Sequence, residues 1–148
     1  MVPRRRSGRR RLSRAQKVVV ALGALVLALG LGNVVRAVVA FAGSAAMPDL
    51  PLSVSWIYLA AASAFWAVIF IACGAGLARF RRWGRIATLA AVTAYEAHVW
   101  GNHLLFDRSD YALQRRPWDL LFTLLLLAVT WGVLSLRSVR GATQGRGL

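Results

Sequence analysis

The sequence predicts an all-α, polytopic membrane protein, a four-transmembrane-helix bundle with both termini in the cytoplasm. Three observations predict it. Hydrophobic residues make up 58% of the 148 positions and mean hydropathy is +0.56, more apolar material than one soluble core absorbs. The apolar residues gather into four runs, each close to the ~20 residues that cross ~30 Å of hydrocarbon. The basic residues collect at those run ends that share one side of the membrane. Eight of the 19 Lys and Arg lie in the first 17 positions, four between Arg79 and Arg85, and three after residue 136. Facing these fifteen are at most four: Arg108, Arg115 and Arg116, with Arg36 near the end of the first run.

Retention of Lys and Arg in the cytoplasm sets the orientation. The net charge of +14 therefore reads as a topological signal and as an attraction for anionic headgroups on the cytoplasmic side. A nucleic-acid partner is not expected, because the basic arm has no accompanying binding domain. The expected location is the plasma or inner membrane, as a multi-pass protein.

Each element follows in order. Residues 1–15 form a basic cytoplasmic tail, and the transmembrane domain covers 16–136. The first span is 18–42, interrupted by Asn33 and Arg36. Its basic front and the Ala40-Phe41-Ala42 triplet resemble a cleavable signal peptide. The apolar stretch is longer than such a segment and carries Arg36 before the site, so retention is expected. A turn-rich loop with Pro48 and Pro51 leads to the second span, 55–78, and the basic run 79–85 anchors its end. The third span is 86–106. A polar loop, 107–116, precedes Pro117 and Asp119, which mark the start of the fourth span, 118–136: proline suits a first helical turn and a carboxylate suits its positive dipole. A second basic cytoplasmic tail, 137–148, closes the chain.

The spans differ in character. The first carries small residues four apart at Ala24, Ala28 and Gly32, with Arg36 next on the row, a pattern for close helix packing that turns Arg36 into the bundle or along its rim. The second has similar pairs at Ala60/Ala64, Ser63/Ala67 and Ala72/Gly76. The fourth is Leu-rich, with Thr123 and Thr130 its chief polar positions, and should face lipid over most of its circumference.

The third span is the informative one. At 100° per residue, Thr93, Glu96, Trp100 and His103 share one face, and Tyr95, His98 and Asn102 share nearly the opposite face. A helix polar on both sides has to be enclosed by protein. Glu96 lies about 15 Å into the span, near mid-membrane, and needs a partner there. His103 or water is expected first. Arg36, about 27 Å from the start of its own span, is expected to meet Asp107 or Asp110 at the outer surface. Together with Arg36 and Asn33, residues Tyr95, Glu96, His98, Asn102 and His103 form the expected intramembrane polar network.

The residue pattern argues against most catalytic chemistries. Cys73 is the single cysteine, which excludes a CxxC redox motif and a disulfide framework. His98 and His103 stand five apart on one helix, without the i, i+4 register of a metal pair or the facing geometry of a haem clamp. Ser53, Ser55 and Ser109 lack a nucleophile motif and read as caps and turns. No cofactor, metal or catalytic residue is expected. A recognition surface is expected in the outer loop at Asp107, Arg108, Asp110, Tyr111, Arg115 and Arg116, for a larger membrane protein or a second copy of the chain. The expectation is a non-enzymatic accessory, scaffolding or assembly protein working through the third span and this loop. The alternatives are a small proton-coupled transporter with Glu96 as coupling carboxylate, and a cofactor-binding subunit using His98 and His103.

Overall fold

A computed structural model describes residues 13–47, 54–106 and 110–144, and of 110–113, 142 and 144 the backbone alone. Five helices account for nearly all of these residues: α1 Arg14–Ala46, α2 Trp56–Ala78, α3 Arg82–Phe106, α4 Asp110–Ser135 and α5 Arg137–Gln144. No strand occurs among the described residues. Three helical segments are long and apolar enough to cross a membrane: Arg14–Ala46, Trp56–Ala78 and Gln114–Ser135. This is a helical membrane protein. The 25 residues of α3 are long enough as well, but the polar residues of its second half make it the least lipid-compatible of the four long helices.

Local chemistry sets the boundaries. The hydroxyl of Ser13 accepts from the Gln16 backbone N–H while the Gln16 side chain accepts from the Ser13 N–H, a reciprocal capping box that starts α1 four residues before the expected span. The helix passes through Asn33 without a break, because the Asn33 amide donates to the Leu29 carbonyl one turn back. Ser55 caps α2 by accepting from the Tyr58 N–H.

The end of α2 is a Schellman motif: Arg81 N–H donates to the Gly76 carbonyl and Phe80 N–H to the Leu77 carbonyl. The left-handed position, usually glycine, is Phe80 at φ 55°. Burial of its ring offsets the backbone strain of about 1–2 kcal/mol. Residues 79–81 suffice to turn the chain, so α3 runs back along α2 from Arg82.

Two parts of the sequence reading are corrected. The helix expected to start at Pro117 starts at Asp110, and Pro117 lies inside it. The stretch 110–116 is therefore helical rather than loop. An Arg115–Asp119 ion pair at 3.4 Å bridges one turn across the proline, so Asp119 serves a helix interior rather than a helix start. The segment after Leu136 is not a featureless tail over 137–144: it forms α5, whose Val139 and Thr143 are buried where it packs on α1, α3 and α4.

α1 and α2 make the most extensive helix pairing. Their close approach runs through Gly23, Gly30 and Gly74, where an added Cβ would stand 3.4 Å or less from the facing helix. The expected small-residue row lies elsewhere. Ala24, Ala28 and Gly32 are exposed, and Gly32 has nothing within 4 Å of its Cβ direction. On α2, Ser63, Ala67 and Gly76 are buried but Ala64 and Ala72 are not. Four-residue spacing of small residues occurs on more than one face, and only the glycine-bearing face of α1 admits backbone contact.

The apolar core, including Val19, Val26, Phe70, Leu77, Val92, Leu134 and Val139, occupies the half of the bundle that carries the chain termini. The opposite half holds the polar residues of α3. As expected, α4 is outward-facing over most of its surface, with Leu121, Phe122, Leu124 and Leu125 more than half exposed.

The tightest backbone approach lies at the α2–α3 turn, where a Cβ on Gly84 would stand 2.5 Å from the Gly76 carbonyl carbon. Gly84→Ala is expected to lower unfolding stability in detergent by about 2–3 kcal/mol, because the obstacle is backbone and cannot rotate away. Gly32→Ala, into open space, is expected to be neutral or stabilising by up to ~1 kcal/mol. Parallel denaturation of the two variants measures the contrast.

Candidate functional site

The two polar faces of α3 go to different partners. On one, the buried Glu96 Oε2 accepts from the Thr123 hydroxyl of α4 at 2.7 Å, and that oxygen accepts from the Trp100 indole N–H at 3.1 Å. Thr123 is thus donor and acceptor at once, its hydroxyl linking Trp100 to Glu96. The arrangement recurs one step along with the helices exchanged: the Trp131 indole of α4 donates to Thr93 of α3, whose hydroxyl donates to the Leu89 carbonyl.

Arginines finish each end of this antiparallel pair. Arg85, in the first turn of α3, donates to the Leu134 carbonyl at the end of α4, and Arg116 of α4 donates to the His103 carbonyl near the end of α3, both at 3.2 Å. A guanidinium at a helix C-terminus meets both the orphan carbonyls and the negative end of the dipole. The α3–α4 pairing therefore depends on side-chain hydrogen bonds at four levels, whereas α1–α2 depends on backbone proximity.

On the other face, Asn102 links two helices. Its Oδ1 accepts from the Tyr58 hydroxyl of α2 at 3.0 Å, and its amide nitrogen lies 3.1 Å from His98 Nε2. The His98 ring packs against Trp66 at 5.8 Å and Tyr58 at 6.1 Å. Tyr95 meets Trp66 and Phe70 edge-on at 5.3 and 5.1 Å. Enclosure of α3 is thus greatest around Glu96, Tyr95, His98 and Asn102, while Thr93 stays exposed. Between the two polar faces runs a narrow stripe of Ala90, Ala94, Ala97 and Leu104, all exposed, with the half-buried Gly101 in line.

These contacts divide the expected network in two. Asn33, Arg36, Tyr95, His98, Asn102 and His103 all line one cleft of about 260 Å³ among α1, α2 and α3, at the end of the bundle away from the termini. Tyr58, Ser63 and Trp66 of α2 line it as well. Glu96 does not. It faces α4 and pairs with Thr123, neither with His103 nor with Arg36, because its face of α3 points away from α1. The lining contains a guanidinium and several donors but no carboxylate among the described residues. No described carboxylate lies within salt-bridge distance of Arg36.

Of the expected outer recognition residues, Arg115 and Arg116 are in α4 with the contacts given above. The side chains of Asp107, Arg108, Asp110 and Tyr111 lie outside the described residues. No group of three His, Cys, Asp or Glu able to hold a metal occurs among the described residues, and Cys73 is buried within α2. Sequence reasoning missed Tyr58 and Trp66, which looked like ordinary span residues, and the two Trp–Thr bridges. Thr123 stood out as a polar break in a leucine run, but nothing in the sequence named its partner.

No family model, curated protein or solved structure matches the chain. The residues themselves carry the functional reading.

Thr123→Val keeps the shape and removes both hydrogen bonds. It is expected to destabilise by about 2–3 kcal/mol, since the buried Glu96 oxygen loses its donor. Glu96→Gln, which retains an oxygen acceptor for Thr123, is expected to cost about 1 kcal/mol or less. Adding Glu96→Leu to Thr123→Val should recover part of the loss, so a double-mutant cycle in detergent unfolding should return a clear non-zero coupling.

Proposed function

We propose that the protein is a non-enzymatic, four-span membrane protein with both ends in the cytoplasm, acting as an accessory or scaffolding component through its outer cleft and the adjoining ends of α3 and α4. The observation that carries this reading is the division of labour on α3. Glu96 is committed to Thr123 in the α4 interface, while the cleft offers donors, aromatic rings and one guanidinium. Such a lining suits holding a group in place.

The fourth span is supported by geometry. α4 is apolar enough to cross, and α3 is hydrogen-bonded to it near both ends, at Arg85–Leu134 and Arg116–His103. A helix tied alongside a spanning helix at both ends occupies the same slab of membrane. Its polar residues are tolerated because they face protein or a cleft. Orientation is supported by the gathering of Arg14, Lys17, Arg79, Arg81, Arg82, Arg85, Arg137 and Arg140 at one end of the bundle. A plasma or inner membrane is the location that accompanies this reading. The alternative reading is a small proton-coupled transporter with Glu96 as the coupling carboxylate.

Topology is tested in a Cys73→Ala background. Ser109→Cys should react with an impermeant maleimide on intact cells, and Gln144→Cys only after permeabilisation. Labelling in the reverse pattern would overturn the orientation. The scaffolding role is tested by copurification: a stoichiometric membrane partner should accompany the full chain and be lost on joint Arg115→Ala and Arg116→Ala substitution. Proton-dependent substrate flux in vesicles, abolished by Glu96→Gln in a folded protein, would contradict it.

A further inference from the structure

The outer cleft does not end among the helices. Asn33, Arg36 and Tyr95, which line it, also line a second recess of about 350 Å³ whose remaining walls are Leu25, Ala28, Leu29 and Gly32 of α1. Both spaces are mostly apolar, the first with the larger polar share, and Arg36 lines both. The recess therefore forms a lateral opening on the α1 surface, continuous with the cleft.

Depth and charge define what fits. Counted from Val18 at 1.5 Å per residue, Arg36 lies about 27 Å along α1, which runs on to Ala46, so its long side chain reaches the outer headgroups by extending toward that end. Its neighbours on the α1 surface are exposed and apolar: Val35, Val38 and Val39 are each more than 60% exposed. Arg36 is itself exposed, so its guanidinium meets the lipid phase. A guanidinium at that depth demands an anion, and its planar fork matches two phosphate oxygens. Around it the cleft adds the imidazole of His98 and the second N–H of the Asn33 amide, the first being held by the Leu29 carbonyl, with no described carboxylate to repel an anion.

We propose that this junction binds a phospholipid of net negative charge from the outer leaflet. Its phosphate lies on Arg36 at the mouth of the cleft and one acyl chain lies in the recess beside Ala28 and Gly32. The proposal deepens the recognition reading above and rests on its outward orientation of the cleft. The binding measurement in detergent is independent of orientation, so the two fail separately: maleimide labelling reports on topology, and lipid retention reports on the site.

The test is native mass spectrometry of the full chain in detergent, incubated with dioleoyl phosphatidylglycerol, dioleoyl phosphatidylcholine or soluble glycerol 3-phosphate. The phosphatidylglycerol adduct is expected to be retained in preference to phosphatidylcholine. Arg36→Gln should weaken it by at least about tenfold, the loss of a charge-assisted contact. Gly32→Phe provides a second variant. Its Cβ meets nothing within 4 Å, so the fold tolerates the change while the ring fills the recess. It should displace the lipid with Arg36 intact. Equal retention of the two lipids overturns the proposal. So does an Arg36→Gln protein that keeps its phosphatidylglycerol, or a folded Gly32→Phe protein that does. Competition by glycerol 3-phosphate at the same concentration as the lipid overturns the lipid as the source of the phosphate.

Discussion

A carboxyl group buried in the middle of a helix needs a donor, and the Thr123 hydroxyl of α4 supplies it to Glu96. Much of the bundle follows from that constraint. With Glu96 fixed toward α4, the helical repeat turns Tyr95, His98 and Asn102 toward α2, and only a narrow alanine stripe remains for the outside. The same register brings Trp100 onto Thr123, Trp131 onto Thr93, and an arginine onto a carbonyl near each end of the α3–α4 pair. Each of these bonds lies where water competes poorly, so each makes the alternative of an unpaired group costly.

The two halves of the molecule use different physics for the same purpose. α1 and α2 have little polar material to share, and their glycines let backbones meet so that dispersion operates at close range. α3 and α4 stand apart by the reach of tryptophan and arginine side chains, and specificity comes from directional bonds. The core at the terminus-bearing end is apolar and filled, with α5 laid across it. At the other end the three helices α1 to α3 diverge around a cleft. That gradient from packed to open leaves a cleft at the far end, with the exposed Arg36 in its lining.

Much of this was legible in the sequence. Long apolar runs and the distribution of arginine specified helices, their order and three strong membrane segments. The two-sided polarity of the stretch from Thr93 to His103 specified that α3 needs neighbours on both polar faces. What escaped was partnership. Asn102 reads only as polar until Tyr58 of α2 lies opposite, and Glu96, expected to meet His103 or water, is met by a neutral threonine one helix away. Pro117 misled as a start signal, because the helix N-terminal to it is held by Arg115–Asp119 and by Arg116 at the end of α3. The row Ala24–Ala28–Gly32 shows the limit of spacing rules: residue size permits close packing, but which face is used depends on the shape of the opposing helix. The basic residues after Leu136 concealed α5, whose burial among the described side chains rests on Val139 and Thr143.

The account stands on α3 being covered at both polar faces and open along one stripe. Single cysteines introduced from position 90 to position 104 in a Cys73→Ala background, spin-labelled and reconstituted in bilayers, report this through collision with lipid-dissolved oxygen. Accessibility is predicted to peak at Ala90, Ala94, Ala97 and Leu104 and to fall at Val92, Glu96 and Asn102. A flat profile, or maxima at Glu96 and Asn102, would contradict the enclosure of α3 between α2 and α4.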